Sequence, residues 1–120
     1  MFKIETTKGP VLVDEVFSGI VNVSNSEKQY WEDGKLHNSS GPAIVYASGD
    51  KFYYQRGQLH RDNGPAIDSD GCRYWYINGQ RSRRDGPAVI LPGGYKEFWI
   101  DGVKYTKSAF KAITGSDNDE

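Results

Sequence analysis

"HRDNGPA", residues 60–66, is preceded by "HNSSGPA" at 37–43 and followed by "RRDGPA" at 83–88. A catalytic loop is needed once, whereas a structural element recurs, so three near-copies in 120 residues point to architecture. Gly41, Gly64 and Gly86 open the three "GPA" triplets at spacings of 23 and 22. Gly34, Gly57, Gly79 and Gly102 form a second series, spaced 23, 22 and 23. An aromatic stands three residues before each of these (Trp31, Tyr54, Tyr76, Trp99), and another stands before that (Tyr30, Tyr53, Trp75, Phe98). Gly49, Gly71 and Gly94 make a third series in phase. Counting back from Gly41 reaches Gly19 in "GIVNV", a degenerate "GPAIV", so the chain holds four units, 19–40, 41–63, 64–85 and 86–105.

Each unit reads as short strands and tight turns. "PAIVYA" and "KFYYQ" are rich in β-formers and separated by "SGD". The aromatic run then meets "DG", "RG", "NG" or "DG" at 33–34, 56–57, 78–79 and 101–102. Asn-Gly and Asp-Gly supply the positive φ angles of a type I′ hairpin turn, while Arg56 predicts another turn type. Pro42, Pro65 and Pro87 lack a backbone donor and belong at strand entrances. The expected fold is all-β, an antiparallel meander of four hairpin repeats in a single twisted sheet. Alternation along the strands places Trp31, Tyr54, Tyr76 and Trp99 on one face and Tyr30, Tyr53, Trp75 and Phe98 on the other, with one ladder left partly exposed.

The ends break the period. Residues 1–18 predict capping strands that protect an open edge. Residues 106–115 predict a short capping helix with Thr106 as N-cap, Phe110 and Ile113 on one face and Gly115 as the stop. Residues 116–120, "SDNDE", predict a disordered acidic tail.

Composition bounds the class. Leu, Ile, Val and Phe make 25 of 120 residues, so eight Tyr and three Trp must carry much of the burial. The net charge of −1 hides an asymmetry: residues 1–50 carry −3, residues 51–115 carry +5 and the tail −3. The one cysteine, Cys72, excludes an internal disulfide, and its turn setting predicts an incidental thiol. The opening "MFKIETTKGP" has no apolar signal core, and no stretch approaches the roughly 20 apolar residues of a membrane span. The expectation is a cytoplasmic protein with no membrane partner.

The string aromatic-x-x-Gly-x-x-His, as "WEDGKLH" at 31–37 and "YQRGQLH" at 54–60, resembles the MORN repeat. "YYQRGQLHRDNGPA" at 53–66 and "WYINGQRSRRDGPA" at 75–88 resemble the MORN variant of phages, giant viruses and bacteria, whose signature is "WYxNGxxHRxxGPA". That resemblance covers residues 19 to about 113. It implies a β-repeat scaffold that binds other macromolecules, and by analogy a small phage product that occupies and blocks a host protein, for example an anti-defence or anti-CRISPR inhibitor. The His-x-x-x-Gly-Pro-Ala loop is longer than the His-Gly-x-Gly of ordinary MORN units, a departure that puts in doubt the groove shape and with it any lipid binding the resemblance implies. Ser82 and Tyr105 replace the signature His in the last two units.

Chemistry-bearing residues are few. His37 and His60 share one repeat position, where a ring nitrogen can satisfy a loop carbonyl, and two His without further ligand types make a poor zinc site. There is no Gly-x-Ser-x-Gly elbow and no phosphate loop. The expectation is a protein without enzymatic activity or cofactor. The basic run "QRSRRD" exceeds what the repeat needs. Arg81, Arg83, Arg84, Arg61 and Arg73, with Trp75 and Tyr53, are the candidate binding residues, because Arg, Tyr and Trp concentrate at protein interfaces. The leading function is a non-catalytic protein-binding module acting on a host protein. The alternative is a nucleic-acid or nucleotide binder using the Arg81–Arg84 run and neighbouring aromatics. Pairing of two copies through an exposed edge or aromatic face is a third possibility.

Overall fold

A computed structural model describes residues 1–115 of the chain; the predicted acidic tail at 116–120 lies outside them. The architecture is all-β and antiparallel, with one short C-terminal helix among the described residues. The chain divides into two compact units, Met1–Gln58 and Leu59–Glu120.

In the first unit β1 (Phe2–Ile4) and β2 (Val11–Val13) form a two-stranded sheet of their own, Phe2 opposite Val13. Then come β3 (Gly19–Asn22), β4 (Lys28–Glu32), β5 (Lys35–Leu36), β6 (Ile44–Val45) and β7 (Lys51–Phe52). They lie in the order β7-β6-β4-β3, with β5 also on β4. β8 (Tyr54–Gln55) follows, and β9 (Gln58–Leu59) lies at the division in sequence. The core here is Ile4, Val13 and Val21, with Phe2, Phe17, Val23 and Trp31 packed against it; the rings of Phe2 and Trp31 are 5.3 Å apart.

The second unit contains β10 (Ile67–Ser69), β11 (Cys72–Tyr74), β12 (Tyr76–Ile77), β13 (Gln80–Arg81), β14 (Val89–Ile90), β15 (Lys96–Ile100), β16 (Val103–Tyr105) and α1 (Lys107–Thr114). Its sheet order is β16-β15-β14-β11-β10, with β12 and β13 as a separate hairpin. Thr106 caps α1, its Oγ1 accepting from the Ala109 N–H, and Gly115 closes it in the left-handed region at φ 68°. Eight residues make a marginal helix, so docking has to hold it. Phe110 does so: it is fully buried against Phe98, ring centroids 4.8 Å apart, a burial that contributes about 2–3 kcal/mol.

Four hairpin turns pair a residue at φ 47–50° (Asp33, Arg56, Asn78, Asp101) with a glycine at φ 76–83° (Gly34, Gly57, Gly79, Gly102). Two consecutive positive φ angles define a type I′ turn. The different turn expected at Arg56 is therefore corrected: the hairpin geometry overrides the residue's preference. Asp70-Gly71 makes a further such turn between β10 and β11.

"KFYYQ", expected as one run, breaks at Tyr53, between β7 and β8, and the next repeat breaks likewise at Trp75, between β11 and β12. At Trp75 the backbone changes partners. Its N–H donates to the Ala88 carbonyl on the following repeat, while its own carbonyl accepts from Ser82, beyond its own hairpin. Tyr30 does likewise with Ala43 and His37. Neither aromatic ladder is left bare: Phe98 is buried and the other seven rings are half-buried.

The "GPA" string is explained residue by residue. Ala43, Ala66 and Ala88 are 0% exposed. Their N–H groups join the ladder at Phe52, Tyr74 and Glu97. Each proline offers its carbonyl to a side chain four residues earlier: Asn38 Nδ2 to Pro42 at 3.0 Å, Arg61 Nη1 to Pro65 at 3.2 Å, Arg83 Nη1 to Pro87 at 3.1 Å. A Cβ at Gly64 would lie 3.1 Å from the Arg61 guanidinium carbon, and one at Gly86 2.9 Å from that of Arg83. Glycine makes room for the brace, proline accepts it, and alanine packs beneath.

Candidate functional site

Side chains at one repeat position clamp the hairpin tips, and three of them, His37, His60 and Ser82, directly precede a brace. His37 Nδ1 accepts from the Arg56 N–H at 2.9 Å, and His60 Nδ1 from the Asn78 N–H at 3.0 Å. Ser82 Oγ accepts from the Asp101 N–H at 3.0 Å, and Ser18 Oγ from the Asp33 N–H at 2.9 Å. Each turn glycine adds a backbone bond, for example Gly57 N–H to Leu36 O and Gly102 N–H to Arg81 O. The structural role expected of the two histidines holds, with a correction: the ring accepts a backbone N–H and does not satisfy a carbonyl. The neutral ring then carries its proton on Nε2, which faces Glu32 from His37 and Asp62 from His60, both at 3.0 Å. Sequence reasoning missed Ser18 and Ser82 because the series Ser, His, His, Ser shares a hydrogen-bond capacity and no letter.

Two clefts between successive loops, one in each unit, lie at matching repeat positions. The cleft in the second unit has a volume of about 610 Å³ and is formed by the loops at 61–64 and 82–85, with Trp75, Ile77 and Asp101. The cleft in the first unit, about 320 Å³, is formed by Ser18, Gly19, Ile20, Tyr30, Trp31, Glu32 and residues 37–39. Tyr30 stands where the second has Trp75, Asn38 where it has Arg83, and Ser39 where it has Arg84.

The predicted binding residues separate. Arg61, Arg83, Arg84 and Trp75 line the second cleft. Arg83 lies over the Trp75 ring, 4.1 Å from its centroid, and pairs with Asp85 at 2.9 Å. Arg84 is exposed and makes no ion pair or hydrogen bond among the described residues. Arg81 does not join them. Its guanidinium sits 5.4, 5.9 and 5.3 Å from the rings of Tyr74, Tyr76 and Trp99, donates to the Tyr76 hydroxyl and lies 3.7 Å from Glu97. β13 ends at Arg81 and the backbone then changes partner, Ser82 N–H donating to Trp75 O and Arg83 N–H to Trp99 O, so strand alternation does not carry Arg83 onto the face of Arg81. Arg73 is exposed on β11, opposite Asp68 and Ile90, and Tyr53 belongs to the first unit; neither lines this cleft.

Around Arg81 the acid is Glu97, held below the ordinary carboxylate range chiefly by the Trp99 indole N–H at 2.8 Å and then by the Tyr95 hydroxyl at 2.8 Å. The same bond to Glu97 raises Tyr95 above its ordinary value. Cys72 starts β11 opposite Ser69, half-buried. Among the described residues no three His, Cys, Asp or Glu gather to hold a metal ion, and no helix is long and apolar enough to cross a membrane. Compared with family models, curated proteins and solved structures, the chain matches none.

Proposed function

We propose that this protein is a non-catalytic binding module that engages another protein through the cleft of its second unit. The carrying observation is the contrast between the two clefts. Asn38 braces its loop with a neutral amide, so the scaffold does not require the arginine at 83, the indole beneath it or the cation at 84, which has no partner among the described residues. Tryptophan and arginine are the residue types on which protein interfaces concentrate their affinity. The histidines, which a hydrolytic reading would use as bases, are occupied holding turns.

Three arginines in the cleft face Asp62, Asp85 and Asp101. That balance favours a protein partner over nucleic acid, whose affinity grows with the number of phosphates neutralised. The finer reading, a phage product acting on a host defence protein in the cytoplasm, and membership of the MORN variant, rest on the repeat signature. Affinity capture with the whole chain tests the module. The expected result is one stoichiometric protein recovered by wild type and by Ser39→Glu but lost with Arg84→Glu. Recovery of none, or equal recovery by all three, contradicts it.

A further inference from the structure

Resting on that reading, we infer that the second cleft takes a single carboxylate side chain of its partner, flanked by apolar residues, with Arg84 as its counter-ion. Among the described residues, the charged groups of the cleft other than Arg84 already hold partners. Asp62 faces the His60 Nε2 at 3.0 Å, Asp85 takes the Arg83 Nε at 2.9 Å, and Asp101 meets the Ser82 hydroxyl at 3.4 Å. Arg61 and Arg83 brace Pro65 and Pro87. Arg84, also in the cleft wall, has no partner among the described residues and keeps its donors for a ligand, and a guanidinium binds a carboxylate through two parallel N–H bonds.

The surrounding acids set the number. One carboxylate reaching Arg84 gains its pair, while a second negative group beside it meets Asp62, Asp85 or Asp101. A polyanion is therefore disfavoured where a lone Asp or Glu is accepted. Ile77 and the Trp75 indole supply apolar contact for the flanking residues. The first cleft provides the internal control: Ser39 replaces the cation there, and Glu32 adds negative charge in place of Ile77.

The test is an NMR titration of the whole ¹⁵N-labelled chain with acetyl-Gly-Leu-Glu-Leu-Gly-amide, its Gln and Lys twins, and a thymidine hexanucleotide. Saturable shifts of the Trp75 indole N–H and the amides of residues 82–85 are expected with the Glu peptide. Affinity should fall about tenfold or more with the Gln twin or in Arg84→Glu, matching the loss of a charge-assisted pair. The Lys twin should regain binding to Arg84→Glu, an exposed change that leaves the braces intact. Equal shifts from the Glu and Gln peptides, no change in Arg84→Glu, or shifts from the hexanucleotide alone would overturn the inference. If Arg84→Glu still abolishes capture while the two peptides behave alike, the carboxylate fails and the module stands. Peptide binding as expected with no protein captured leaves the anion site standing without the module.

Discussion

The two units solve the same structural problems with different charges. Two tryptophan indoles take an acceptor two residues earlier: Trp31 uses the Gln29 amide at 3.1 Å, and Trp99 uses the Glu97 carboxylate at 2.8 Å. A proline carbonyl needs a donor, which Asn38 supplies in one unit and Arg61 and Arg83 in the other. What the repeat dictates at these positions is hydrogen-bonding reach. Charge is a second choice laid over it, and it carries with it sensitivity to pH and salt and a capacity for partners.

The largest expected effect separates the units at one turn position. A Cβ at Gly34 would fall 1.7 Å from the Glu15 carbonyl oxygen, with φ at +76°. Gly34→Ala is expected to lower stability by about 3 kcal/mol or more in urea unfolding, because backbone must move. At Gly102 a Cβ meets only the Gln80 side chain at 3.4 Å, so Gly102→Ala should cost about 1–2 kcal/mol, the left-handed strain alone. Equal costs would erase this distinction.

Arg83→Ala comes next, at about 2 kcal/mol, since it strands the Pro87 carbonyl and uncovers Trp75. Arg83→Asn should recover part of that loss if reach, as at Asn38, is what the loop demands. Thermal unfolding of both variants decides it; an Asn variant no better than Ala sinks the equivalence.

Acid sharpens the comparison further. Glu97 is held below its ordinary value of 4.5 in the folded chain, so its contribution is present in full above that pH and is lost as pH falls through the lower folded value. Gln29 has nothing to titrate. Stability should therefore decline below about pH 4.5 less steeply in Glu97→Gln than in wild type, and a slope unaltered by the substitution would count against it. The smallest effect is at Arg56, whose φ of 49° suits Asn better: Arg56→Asn should gain about 0.5 kcal/mol by denaturant midpoint.

Much of the fold was legible because periodic glycines report backbone geometry directly. Gly34, Gly57, Gly79 and Gly102 mark the turns whatever their neighbours, and Thr106 and Gly115 bound the helix by capping chemistry. Side-chain direction was less legible. Arg81 and Arg83 read as one basic run, yet the strand ends and the backbone changes partner between them, and one packs on Tyr74, Tyr76 and Trp99 while the other lies on Trp75. The breaks at Tyr53 and Trp75 escaped because a residue's change of backbone partner depends on strands distant in sequence. The clamps of Ser18 and Ser82 were hidden by their difference in identity from histidine.

The central claim is that the recurring string fastens each hairpin tip to the strand behind it. Amide hydrogen exchange at Asp33, Arg56, Asn78 and Asp101 tests it most directly, because the amide of an exposed turn residue exchanges fast unless an acceptor holds it. All four should be protected, and His60→Ala should release Asn78 while leaving Asp101 protected. Unprotected amides at the four tips, or an Asn78 indifferent to His60, would contradict it.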